Sequence, residues 1–121
     1  MGVWGTGNFE NDTAADYLSL MTSQIAEEIE EAISHPNEIE PDEFEGVVVL
    51  CKLEILYLFA KQHWVGLMLP DSDMIIKWKK EYLFVWDQYM EKSDSKKEYI
   101  NTRRKVIAKT FDQLIESKNK I

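Results

Sequence analysis

The stretch Val47-Val48-Val49-Leu50-Cys51-Lys52-Leu53-Glu54-Ile55-Leu56-Tyr57-Leu58-Phe59-Ala60 decides the fold. Its three leading β-branched residues suit a strand, and its apolar character raises the question of a membrane span. Lys52 and Glu54 interrupt it, and it falls short of the roughly 20 apolar residues that a spanning helix needs. Its length without a turn residue favours a helix over a strand. Pro41 and Asp42 open it with a proline and a cap, and the pattern runs to about Gly66. Val47, Val48, Leu50, Leu53, Leu56, Tyr57, Phe59, Ala60 and Trp64 fall on nearly every side. The expectation is a central helix touched by several neighbours.

Working outward, three further segments carry helical spacing. From about Asp12 to Ser34, Leu18, Met21, Ile25, Ile29, Ala32 and Ile33 line one face, and Glu27, Glu28, Glu30 and Glu31 line the other. Asn11 or Asp12 can cap its start, and Pro36 and Asn37 end it. From about Ser72 to Lys92, Ile75, Trp78, Tyr82, Val85, Trp86 and Tyr89 form an aromatic stripe of the kind that builds a core. After Ser93-Asp94-Ser95, Ile100, Ile107, Phe111, Leu114 and Ile115 line a last helix to about Lys118. Short connections between long helices favour antiparallel neighbours. The sequence therefore predicts an all-α, antiparallel four-helix bundle, a single helical domain over residues 1–121, with an unusual N-terminal lead-in. Length agrees, since 121 residues suit one core.

Composition excludes several classes. With 45% hydrophobic and 12% aromatic residues the chain can bury enough surface to fold, despite 30% charged residues. A lone cysteine, Cys51, supports neither an internal disulfide nor a cysteine-based zinc site. Residues 1–9 lack the basic start and apolar stretch of a signal peptide, so the expected location is the cytoplasm. The net charge of -8 is unevenly spread: residues 1–46 hold twelve carboxylates and no Lys or Arg, whereas residues from Glu91 onward hold nine basic and five acidic side chains. An acidic half repels phosphate backbones, so nucleic acid is not an expected partner, nor is a membrane. Acidic and basic faces can pair within the fold or across a homodimer, and an acidic surface can steer a basic protein partner.

The lead-in reads Met1-Gly2-Val3-Trp4-Gly5-Thr6-Gly7-Asn8-Phe9-Glu10-Asn11-Asp12-Thr13-Ala14-Ala15-Asp16. Its glycines permit backbone angles closed to other residues, and Trp4 and Phe9 each bring a large apolar side chain expected to be buried. An ordered loop pinned to the bundle follows. The string Trp-Gly-x-Gly-x-Phe-x-Asn-Asp-x-Ala-x-Asp resembles the opening of a bacterial family catalogued as domain of unknown function 4259. Weaker similarity continues through an apolar helix with one internal Glu, here Glu54, then Leu69-Pro70 and a closing helix. The sequence departs from that family at Asn8, where proline is common, and at Val47 to Val49, where alanine is frequent. The resemblance implies a small, cytoplasmic, mainly helical bacterial protein and carries no activity with it.

Candidate chemistry is sparse. Gly5-Thr6-Gly7 before a helix start has the outline of a phosphate cradle, but no P-loop lysine or preceding strand accompanies it, and Glu10, Asp12 and Asp16 would repel a phosphate. Asp12 and Asp16, four apart, could share a hard cation with Glu10, although capping and loop hydrogen bonds explain them more simply. Glu54, among Leu50, Leu53, Tyr57 and Leu58, is the charge expected to be buried. Our reading is that Glu54 or Asp16 accepts hydrogen bonds from the Gly5 to Gly7 backbone or from the Trp4 indole. His35, His63 and Cys51 lack metal-ligand spacing, and Cys51 is expected as a small buried hydrophobe. No catalytic residue, metal or cofactor is expected. The candidate structural or ligand site comprises Trp4, Gly5, Thr6, Gly7, Phe9, Asn11, Asp12, Asp16 and Glu54. The function expected is a non-catalytic, regulatory or immunity-like interaction module. The alternative is a small-ligand binder or enzyme with its site between lead-in and bundle.

Overall fold

A computed structural model describes residues 2–120, which form four α-helices with no strand among them. They are α1 (Asp12–Ile33), α2 (Phe44–Lys61), α3 (Ser72–Glu91) and α4 (Lys97–Asn119), with one 3₁₀ turn at Pro36–Glu38. Asn11 caps α1: its backbone is extended and its side-chain oxygen accepts from the Ala14 N–H at 2.8 Å. Pro36 cannot continue a helix, and the chain turns there through the 3₁₀ segment. No helix among the described residues is long and apolar enough to cross a membrane.

Helices consecutive in the chain run antiparallel. Phe9 and Trp64 bring the start of α1 to the end of α2, and the Ser72 hydroxyl donates to Asn119 Oδ1 at 2.7 Å, joining the start of α3 to the end of α4. Helix α4 packs against α2 and α3, and α1 against the same two, so α2 and α3 sit at opposite corners. Their connection, residues 62–71, must therefore cross the bundle, and it does so over α1. The Ser19 hydroxyl donates to the Gly66 carbonyl at 2.5 Å, and the Met68 N–H donates to the buried Thr22 Oγ1 at 3.0 Å. Gly66 has φ of +100°, and an added Cβ would lie 2.3 Å from the Ala15 carbonyl oxygen, so a residue with a side chain fits on neither count.

The core is aromatic in the middle. Trp78, Trp86 and Tyr82 of α3 share one core cluster with Phe111 and Leu114 of α4, Leu53 and Leu56 of α2, and Ile29 and Ile33 of α1, all buried. Two of these α3 side chains use their polar groups to tie neighbouring elements, as buried polar groups require. The Trp78 indole donates to Glu30, and the Tyr82 hydroxyl donates to the Gly46 carbonyl at 2.6 Å.

Three expectations change. Helix α2 stops at Lys61 rather than near Gly66, because His63 takes a positive φ of 57° and turns the chain toward α1. It is a corner helix, not a central one, since its neighbours are α1 and α4 and its outer side faces solvent. For that reason Val47 and Cys51, expected inside, are exposed.

Candidate functional site

The lead-in folds as a small hairpin. Val3 and Asn11 form an antiparallel bridge, the Trp4 N–H donates to the Glu10 carbonyl at 2.9 Å, and the Glu10 N–H donates to the Gly7 carbonyl at 3.1 Å. Gly2, Gly5 and Gly7 do not use the left-handed backbone expected of them. They leave room for carboxylates, since a Cβ on Gly5 or Gly7 would run into Glu10 and one on Gly2 into Asp12. The hairpin is fastened to the bundle by Phe9, whose ring stacks on Trp64 at 4.0 Å between centroids and 15° between planes.

The predicted constellation divides. Trp4, Gly5, Gly7, Phe9, Asn11 and Asp12 share the hairpin and its junction with α1, and Thr6 is exposed at the turn. Trp4 is not buried: it is 46% exposed, and its indole donates to Asp12 Oδ1 at 2.8 Å rather than to Asp16 or Glu54. A hairpin this short can cover only one of its two aromatic rings, and Phe9 takes the inner place. Asp16 is exposed on α1 and makes no side-chain hydrogen bond among the described residues. Glu54 is also exposed, and its carboxylate accepts from Gln113 Nε2 of α4 at 2.6 Å. It lies seven residues, about 10 Å, before the end of α2, next to which the lead-in docks through Trp64. Apolar neighbours on α2 suggested burial, but Leu58 and Ile55 are themselves at the surface. Among the described residues no group of three or more His, Cys, Asp or Glu could hold a metal ion.

A larger feature lies between α1 and α2. A furrow of about 1010 Å³ is lined by Glu27, Glu28, Glu31, Glu38 and Glu45, with Lys52, His35 and Leu20 among its other walls. Helical spacing lines up Glu27, Glu28 and Glu31, and the antiparallel return of α2 adds Glu45 and Lys52 opposite. Lys52 Nζ is 3.2 Å from Glu28, the one close ion pair across the furrow among the described residues. His35 sits at its end. Its Nδ1 lies 2.9 Å from the Glu31 carbonyl oxygen, 3.5 Å from Glu38 and 3.7 Å from the Glu31 carboxylate. The bond to that carbonyl raises the His35 pKa above 6.5, partial desolvation opposes it, and the Glu38 and Glu31 charges add to the rise. The sequence reading marked the acidic face of α1. It missed Glu38, Glu45 and Lys52 as its continuation, for which the signal was the short return through Pro36 and Pro41.

A second cleft, of about 580 Å³, lies between the end of α2, the crossing segment and α4, with Tyr57, His63, Trp64, Gln113 and Lys120 among its walls. It touches the lead-in through Trp64, the partner of Phe9.

The sequence of residues 2–120 matches the family described as Domain of unknown function (DUF4259). The chain belongs to this family. Nearly the whole length is matched, so the hairpin and all four helices are parts of the DUF4259 unit rather than additions to it. No curated protein and no solved structure shows a significant match.

Proposed function

We propose that this protein is a non-catalytic protein-protein interaction module, regulatory or immunity-like, acting in the bacterial cytoplasm, and that the furrow between α1 and α2 receives a basic segment of its partner. The observation that carries the proposal is the furrow itself, with five glutamates against one lysine and one histidine along its walls. Such a field raises the encounter rate with a basic partner and discourages acidic ones. Residues 1–46 add to it, since they contain no Lys or Arg at all.

The test is affinity capture of the tagged protein from bacterial lysate at low and at physiological salt, beside a Glu27→Gln, Glu31→Gln variant. Both side chains are exposed, and their removal leaves the Lys52 pair with Glu28 intact. A stoichiometric basic protein held by the native chain and lost from the variant supports the reading. Equal retention by both, or nothing above background, refutes it.

A second reading, a small-ligand binder, draws on the cleft beside Trp64. It requires a ligand that raises the melting temperature of the native protein and fails to do so for a Tyr57→Ala variant.

A further inference from the structure

Helix α2 carries one face that nothing in the fold covers. Phe44 is 74% exposed, Val47 52%, Ile55 40% and Leu58 48%, and Cys51 between them is exposed as well. At 100° per residue these five side chains share one strip, about 21 Å long from Phe44 to Leu58. The flanks of α2 are occupied: Lys52 reaches Glu28 of α1 on one side, and Glu54 holds Gln113 of α4 on the other.

The strip is symmetric about its centre. Val47 and Ile55 stand four residues to either side of Cys51, and Phe44 and Leu58 stand seven. A two-fold axis through Cys51, perpendicular to α2, lays Phe44 of one copy against Leu58 of the other and Val47 against Ile55. Every contact of the strip is then apolar on apolar, the self-complementarity that an isologous interface demands. We propose that the protein pairs with a second copy of itself through this face, α2 antiparallel to α2.

Charge selects the same arrangement. Glu43 and Lys61 are both exposed and lie eighteen residues apart, five whole turns, so they stand on one flank just beyond the two ends of the strip. The antiparallel axis brings each Lys61 within a turn of the second copy's Glu43, twice over. A parallel pairing instead turns the flank that carries Glu43 and Lys61 to opposite sides of the contact in the two copies, so neither Lys61–Glu43 pair forms. The acidic wall of α1 lies behind the α2 corner and outside the contact, so the dimer does not rest on the furrow's role.

One helix pair of this length buries less than about 1,200 Å² in total, which places the association in the weak and reversible class. Sedimentation equilibrium of the full chain in reducing buffer, from about 1 μM to about 1 mM, spans that class. The expected result is a mass that climbs from 14.2 kDa toward twice that value. Ile55→Glu, at an exposed position, keeps the native circular dichroism and stays monomeric throughout. Orientation is read in a Cys51→Ser background under copper phenanthroline. Phe44→Cys mixed with Leu58→Cys cross-links, and neither variant cross-links with itself. A mass fixed at the monomer value, an Ile55→Glu variant that still dimerises, or self-cross-linking of either cysteine variant overturns the proposal.

Discussion

Replacing Gly46 by alanine isolates one close approach on which the α1 to α2 return depends. An ideal Cβ on Gly46 lies 2.0 Å from the Glu40 carbonyl oxygen, 2.8 Å from its carbon and 2.9 Å from the Ile39 carbonyl oxygen. All three neighbours are backbone, so no flexible side chain can move aside. Ordinary contact begins near 3.4 Å, and Ile39, 1% exposed, is anchored in the core, so the segment cannot retreat without withdrawing it. Overpacking of this sort costs roughly 1 to 3 kcal/mol, and the rigid backbone places this case near the top. Displacing the Gly46 carbonyl from the Tyr82 hydroxyl adds roughly 1 kcal/mol, and the better helix propensity of alanine returns about 1 kcal/mol. The net expectation is a loss of about 3 kcal/mol, or about 12 °C in Tm at roughly 4 °C per kcal/mol for a chain of this size. Thermal denaturation followed by circular dichroism measures it, with Tyr82→Phe as the control that removes only the hydrogen bond and falls by about 4 °C. A Gly46→Ala protein that melts at or above the native temperature refutes the packing argument, because propensity alone would then have decided the outcome.

Burial pushes the Tyr82 hydroxyl up to about 12, against a smaller downward pull from Arg103. Its contribution to stability is complete below pH 10, where the unfolded chain keeps its proton, and is lost as pH rises through 12, so Tyr82→Phe flattens the alkaline limb of denaturation. A native limb no steeper than the variant's sinks this. For His35 the raised pKa means a stabilising contribution present below pH 6.5 and lost as pH rises through the folded value. Proton NMR of the imidazole should titrate above 6.5 and move down in Glu38→Gln, and a midpoint at or below 6.5 contradicts the geometry. Phe9→Ala, which removes the half-buried ring stacked on Trp64, should destabilise by about 2 kcal/mol and shift tryptophan emission to the red. Trp4→Ala, at an exposed position, should cost less, and the reverse order would show that Trp4 is the anchor.

The helices were legible because their punctuation is chemical. Asn11, Pro36 and Pro70 mark boundaries within three residues of those observed, and the Ile75, Trp78, Tyr82, Trp86 stripe is buried as its spacing required. Glu54 was misread because an all-round apolar helix looks central from its sequence. Only the corner placement of α2, set by which helices its neighbours prefer, exposes Ile55, Leu58 and the carboxylate among them. The lead-in was legible as ordered but not in detail. Which ring turns inward depends on Trp64, 55 residues away, and the glycine spacing answers to Glu10 and Asp12 rather than to backbone angles. The furrow needed two segments read together, since three of its five glutamates come from α1 and the other two from the turn and α2.

The corner placement of α2 also orders events in time. Its core side rests on α4, the last helix to be made, while α3 is synthesised between them and lies diagonally across. At roughly 5 to 20 residues per second, the ribosome takes several seconds to pass from the end of α2 to Phe111. During that interval Leu53 and Leu56 have no α4 surface to meet, and the nascent α1 and α2 present an open apolar seam to whatever chaperone stands at the tunnel exit. A message truncated before Ile107 yields a chain that is helical by propensity and permanently without the layer that closes it.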